Sequence, residues 1–138
     1  MIVLDTNVVS EIMHPAPNPR VLRWLDKQPP QSIWISTVTL YEIRFGLQSM
    51  PPGKKQTALL ALLERWLADV VQRRIANFDQ AAALQAANLG AALKLKGRPR
   101  DPRDTMIAGI VLASHATLAT RNTKHFEDIT KSVVNPWG

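Results

Sequence analysis

The stretch Met1-Ile2-Val3-Leu4-Asp5-Thr6-Asn7 decides how the rest of the chain is read. Large apolar residues run unbroken into Asp5 and two small polar residues. A short unbroken apolar run is the pattern of a central parallel strand with helices on both faces, whereas a half-exposed strand would alternate. An acid at the carboxyl end of such a strand faces the crevice where open α/β sheets bind ligands. Asp is also a preferred helix N-cap, and a helical pattern follows, so residue 5 alone leaves both readings open.

Two further acids fall in comparable places. Residues 32–36 (Ser-Ile-Trp-Ile-Ser) read as a second strand, after which Ser36 or Thr37 caps a helix through about Gln48. Glu42 lies in the first turns of that helix and shares a face with Gly46. A glycine there costs about 1 kcal/mol of helix stability, which predicts close packing by a neighbouring element. Asp101-Pro102-Arg103-Asp104 reads as N-cap, N1, N2 and N3 of another helix. Ile107, Ile110, Val111 and Ser114 mark its buried side, and a weak strand over 116–120 follows.

Asp5, Glu42 and Asp104 thus take equivalent positions at or just beyond strand ends, and in a doubly wound sheet they can converge. Clustered carboxylates repel one another unless a cation neutralises them or one is protonated. Carboxylates alone select hard ions, here Mg²⁺ or Mn²⁺. Such an ion bridges phosphate oxygens and activates water for phosphodiester hydrolysis. Each acid also has a plainer use: Glu42 as an exposed helix residue pairing with a neighbour such as Arg44, Asp104 as a favourable charge at a helix start.

The remaining elements alternate strand and helix. Residues 7–11 make a short helix or turn, ended by prolines 15, 17 and 19. Asn18-Pro19 opens a helix through Asp26. Lys54 to Arg73 reads as one long amphipathic helix with Leu59, Leu63, Trp66, Leu67 and Val70 on its stripe. A brief strand over 73–78 follows, then a helix from Ala82 to Lys94 capped by Asp79, and Val133-Val134 supplies a last edge strand. The pattern predicts a single α/β domain over 1–138 with a mostly parallel central sheet and helices on both faces, α/β/α in three layers.

Seventeen Lys and Arg against eleven Asp and Glu give a net charge of +6, which favours a polyanionic partner, most simply nucleic acid. The most basic stretch, Lys94 to Arg103, adjoins Asp104. Its Lys94, Lys96, Arg98, Arg100 and Arg103, with Arg121 on a later loop, are the candidates for flanking phosphates. There is no cysteine, which excludes a disulfide framework, a thiolate metal site and a cysteine nucleophile. With no signal-peptide pattern and no apolar run near the ~20 residues of a membrane span, a cytoplasmic protein is expected. His14, His115 and His125 show no ligand spacing and read as surface or packing residues, and the tryptophans as core or C-terminal anchors. A phosphoryl-aspartate enzyme would need an Asp where Asn7 stands. No Walker A, GxGxxG or GxSxG motif occurs.

Four segments carry a family resemblance: residues 2–9 with Ser10 (IVLDTNVVS), 35–42 (ISTVTLYE), 104–109 (DTMIAG) and 118–126 (LATRNTKHF), with Asn135-Pro136-Trp137 at the end. Together they resemble the PIN-domain ribonucleases of the VapC/FitB toxin branch. The resemblance implies a Mg²⁺- or Mn²⁺-dependent endoribonuclease, the toxin of a type II toxin–antitoxin pair, acting on structured tRNA or rRNA. It also implies a homodimer held inactive by a cognate antitoxin, with operator DNA contacted only through that antitoxin. Asp5, Glu42 and Asp104 match the catalytic, metal-binding acids, and Thr6, Asn7 and Thr120 match the polar residues around them. There is one departure. The family's fourth acid falls around Asn122 or His125, neither acidic here, although Asn122 could still ligate through its carbonyl or position water. The competing expectation is a PIN-fold binding module that acts with an antitoxin without cleaving. An Arg or Lys side chain placed among the carboxylates would be a physical route to inhibition.

Overall fold

The computed structural model describes residues 1–138. Five strands form one all-parallel sheet: β1 (Ile2–Leu4), β2 (Ile33–Ser36), β3 (Ile75–Ala76), β4 (Thr117–Ala119) and β5 (Val133–Val134), in the order β3-β2-β1-β4-β5. The expectation of a mostly parallel sheet is thereby sharpened, and β1 is its central strand.

The layers follow from side-chain alternation. Val3, Leu118 and Ala76 face one core with α5 (Gln80–Leu95), α6 (Pro102–Ala113) and the 3-10 turns of Thr123–Ser132. Leu4, Ile33, Ile35 and Ala119 face the other, against α1 (Thr6–Ile12), α2 (Pro19–Asp26), α3 (Thr37–Gln48) and α4 (Lys54–Asp69). The apolar run 2–4 is continuous because both of its faces are covered.

The caps form where local chemistry puts them. Asn18 accepts from the N–H of Arg20, Ser36 from Thr39, Asp79 from Ala82 and Asp101 from Arg103. The expected helix to Arg73 ends instead at Asp69, because Gln72 and Arg73 adopt positive φ of 50° and 59°, which breaks the helical path. Val70 is accordingly exposed. The strand expected over 73–78 contracts to Ile75–Ala76, and Ser114, expected on the buried side of α6, is an exposed cap.

The expected close contact at Gly46 is absent: a Cβ there would meet nothing within 4 Å. The close approach lies at Gly109, where a Cβ would stand 2.5 Å from the carbonyl oxygen of Ala82 and 2.8 Å from Ala86 Cβ. Small residues on the alanine-rich α5 and a glycine on α6 let the two backbones approach, which fixes the first turn of α6 against the sheet.

Candidate functional site: an acidic centre at the switch of the sheet

Connections leave β1 towards β2 on one side, while β4 enters on its other side. At such a reversal the loops diverge and leave a crevice at the carboxyl ends. Asp5 lies there, 4% exposed. Both readings of this residue hold. One carboxylate oxygen, Oδ1, accepts from the Thr6 N–H at 2.8 Å and caps α1. The other, Oδ2, accepts from Thr120 Oγ1 at 2.8 Å and from Asn7 Nδ2 at 3.3 Å.

Thr120, fully buried, spends its whole hydrogen-bonding capacity here. It donates to Asp5 and accepts from Asn7 Nδ2 at 3.2 Å and from the Asn122 N–H at 3.1 Å. Asn7 Oδ1 in turn accepts from the Arg121 N–H at 3.1 Å, tying α1 to the loop after β4. Asp5, Asn7 and Thr120 therefore form one closed network across the β1–β4 pair. Asn122 takes part only through its backbone N–H; no hydrogen bond engages its exposed side chain.

The other two acids have found partners of their own. Glu42 accepts from Thr6 Oγ1 at 2.9 Å, with the buried Thr39 hydroxyl 3.2 Å from the same threonine oxygen. Arg103 Nη1 lies 3.6 Å from Glu42 Oε2, while Arg44, its suggested neighbour, pairs with Glu64 instead. His125 Nδ1 stands 3.2 Å from Asp104 Oδ2. Reading His125 as a surface or packing residue is thus corrected in part: it is exposed, yet it is the nearest base to one of the acids.

Burial pushes the Asp5 carboxyl from its ordinary 3.8 up to about 6; the hydrogen bonds from Thr120 and Thr6 oppose this, and the charges of Asp104 and Glu42 add to it. Burial also raises Asp104, with the charge of His125 pulling the other way. Asp104 and Glu42 both lie near enough to act on the Asp5 charge, one lining the cleft beside the α5–α6 loop and the other the groove between α1, α3 and α4. No three acidic or histidine side chains are close enough, as arranged, to chelate one ion. Chemically, carboxylates, threonine hydroxyls and an amide carbonyl are hard oxygen donors, a set that suits Mg²⁺ or Mn²⁺ and no softer ion.

The basic candidates divide. Lys94, Lys96 and Arg98 are exposed at the end of α5 and beyond. Arg121 is exposed, with its guanidinium 5.2 Å from the Trp137 ring centroid. Arg103 is shared between Asp101 and Glu42. Arg100 departs from its expected role as a surface phosphate contact. Its side chain, 5% exposed, pairs with Asp128 at 2.6 Å, donates to the His125 carbonyl at 3.2 Å and to Thr105 Oγ1, and lies over Phe126. It is a strut that pins the 3-10 turns of Thr123–Ser132 to the first turn of α6. Its main partner lies 28 residues away, which is why no local pattern announced it.

Such an acidic centre at the switch of a five-stranded parallel sheet defines a class of protein. The PIN domain pattern matches residues 2–132, and the chain belongs to the PIN-domain family, on its VapC/FitB branch. It is similar to the plasmid stability protein StbB of Pseudomonas syringae pv. tomato, 40% identical, with 99% of each chain covered. It is likewise similar to the VapC ribonuclease Y4jK of Sinorhizobium fredii, 38% identical over 99% of this chain and 98% of that protein. Among solved structures, FitAcB from Neisseria gonorrhoeae superposes with a TM-score of 0.90 at 36% identity, covering 99% of each chain.

Proposed function

We propose that the chain is a Mg²⁺- or Mn²⁺-dependent endoribonuclease, the toxin of a type II toxin–antitoxin pair. The observation that carries this reading is Asp5: a carboxylate almost wholly buried at the sheet switch and held at about 6 by burial and two neighbouring acids. A cation would favour the ionised form of such a buried carboxylate beyond what its hydrogen bonds from Thr120, Thr6 and Asn7 supply. Two relatives, one named a ribonuclease and the other the FitB toxin, support the same class.

Asp5, Glu42 and Asp104 would hold the ion, which when bound supplies charge neutralisation at the phosphate and a more acidic water. The chain's own residues do the rest. Thr120 and Asn7 orient Asp5, Thr6 orients Glu42, and Arg100 holds the His125 segment so that Asp104 faces the crevice. The partners that go with this reading are RNA (tRNA or rRNA), a cognate antitoxin, a second copy of the chain, and operator DNA reached through the antitoxin.

The test is incubation of purified, antitoxin-free protein with total bacterial RNA under Mg²⁺, Mn²⁺ or EDTA. Discrete fragments that need the ion are expected. Intact RNA under every condition would favour the second reading, a PIN-fold binding module, whose supporting observation is the non-acidic, exposed Asn122.

Asn122→Asp restores an acid at the fourth position. It is expected to tighten Mn²⁺ binding about tenfold by titration calorimetry, in the range typical of residues that support a metal site. An unchanged affinity would put residue 122 outside the reach of the ion.

A further inference from the structure

The three acids do not carry the same kind of partner. Asp5 accepts only from neutral groups: the Thr6 N–H, the Thr120 hydroxyl and the Asn7 amide. Asp104 stands beside His125, which carries a charge only when protonated. Glu42 alone is paired with a permanent cation, Arg103, whose Nη1 lies 3.6 Å from Oε2. Its other oxygen, Oε1, accepts from Thr6 Oγ1.

Local chemistry holds that cation in place. Asp101 caps α6 by accepting from the Arg103 N–H at 2.8 Å. The same carboxylate takes the guanidinium as a fork, Nε to Oδ1 at 3.3 Å and Nη2 to Oδ2 at 3.4 Å. Two-point pairing of this kind fixes the plane of a guanidinium. Nη1 is the nitrogen left over, and it is the one beside Glu42. At 3.6 Å that contact is one of charge and not a directional hydrogen bond. Arg103 thereby ties an acid at the start of α6 to an acid on α3.

An ion cannot bind Glu42 and ignore this neighbour. Mg²⁺ sits about 2 Å from its ligand oxygens, so a guanidinium beside the same carboxylate repels it at close range. The side chain has somewhere to go, because it is exposed and Asp101 can keep it alone. Resting on the metal-dependent reading, we propose that Arg103 is the resident counter-charge of the ion site: it holds Glu42 until the ion binds and then falls back on Asp101. Loading is an exchange of one cation for another, and Arg103 raises the ion concentration at which the centre fills.

The experiment is titration calorimetry of Mn²⁺ into purified, antitoxin-free protein at low salt. Wild type is compared with Arg103→Gln and with Arg65→Gln, which removes a positive charge without an ion pair from the exposed side of α4. Gln keeps the backbone N–H that Asp101 accepts, and an exposed ion pair adds little to stability, so the fold is expected to stand. Arg103→Gln is expected to tighten Mn²⁺ binding roughly three- to tenfold, a gain that shrinks as KCl is raised, and Arg65→Gln to change it by less than about twofold. In a Glu42→Gln background, where the pair is already broken, Arg103→Gln is expected to change the affinity by less than about twofold. Unchanged or weaker binding by Arg103→Gln, an equal gain in Arg65→Gln, or the full gain persisting without the Glu42 carboxylate would each overturn the counter-charge and leave the ion site in place. Tighter Mn²⁺ binding by Arg103→Gln in a protein that leaves total RNA intact would uphold the counter-charge and overturn the nuclease reading. Absence of Mn²⁺ binding in wild type and every variant would overturn both.

Discussion

Asp5→Asn is expected to abolish RNA cleavage and, in the same molecule, to raise the melting temperature near neutral pH. The cleavage loss follows from removing the charge at the centre of the three acids. Several kcal/mol of charge stabilisation in the transition state correspond to a rate lower by about a thousandfold or more. The stability gain follows from the environment of that charge. An unfolded chain releases the Asp5 proton near 3.8 and the folded chain near 6. Between those values the folded state binds more protons, so stability falls as pH rises through the window and is flat above it. The span from 3.8 to about 6 corresponds to about 3 kcal/mol.

Asparagine removes that cost. It also presents an N–H₂ to the donors of Thr120 and Asn7, which returns roughly 1 kcal/mol of it. A net gain of about 2 kcal/mol, roughly 7 °C at this chain length, is expected above pH ~6, shrinking towards zero near pH 4. Thermal melts of the two proteins at several pH values measure the difference. A gap that does not change with pH, or a variant less stable than wild type near neutrality, would contradict the account. Added Mn²⁺ is expected to raise the melting temperature of the wild type and leave the variant unmoved, since only binding to the folded state stabilises it.

Gly109→Ala is expected to destabilise the fold by about 3 kcal/mol, roughly 10 °C. The new methyl would meet the Ala82 carbonyl oxygen at 2.5 Å and the Ala86 N at 2.9 Å, which are backbone atoms of α5 that cannot turn aside as a side chain would. Helix α5 must move away as a unit, and the core that it shares with α6 through Ala82, Ala86, Ile107 and Ile110 opens with it. Better helix propensity returns at most about 1 kcal/mol. Gly46→Ala is the internal comparison. With open space over that position, it is expected to be neutral or to stabilise by up to about 1 kcal/mol. Urea unfolding of the pair reads both effects, and a Gly109 variant as stable as wild type would mean that α5 and α6 are looser than they stand.

What could be read from the sequence was what local chemistry determines. The run 2–4, the caps at Asn18, Asp79 and Asp101, and the edge strand at 133–134 depend on neighbours within a few residues, and each forms as expected. Residues that depend on distant partners were harder. Arg100 sits in the most basic stretch of the chain, and nothing nearby signals that Asp128 and Phe126 will bury it. His125 reads as an isolated histidine until the fold brings Asp104 beside it. The helix through Asp69 lacks a glycine at its stop, because Gln72 and Arg73 make the left-handed turn themselves. Glycine was the signal in the wrong place: Gly46 and Gly109 both lie inside continuous helices, and only packing tells a tight contact from an open one.

The central strand is the first made, yet the strand that completes its acidic end is among the last. Asp5 is translated 115 residues before its hydroxyl partner Thr120. Asp104 precedes Thr120 by a single helix and strand. A growing chain therefore carries its key carboxylate long before β4 arrives to complete the centre. A chain cut short anywhere before residue 120 lacks the closed network altogether. On the toxin reading proposed above, such an order of assembly leaves an unfinished copy without a centre to cut with.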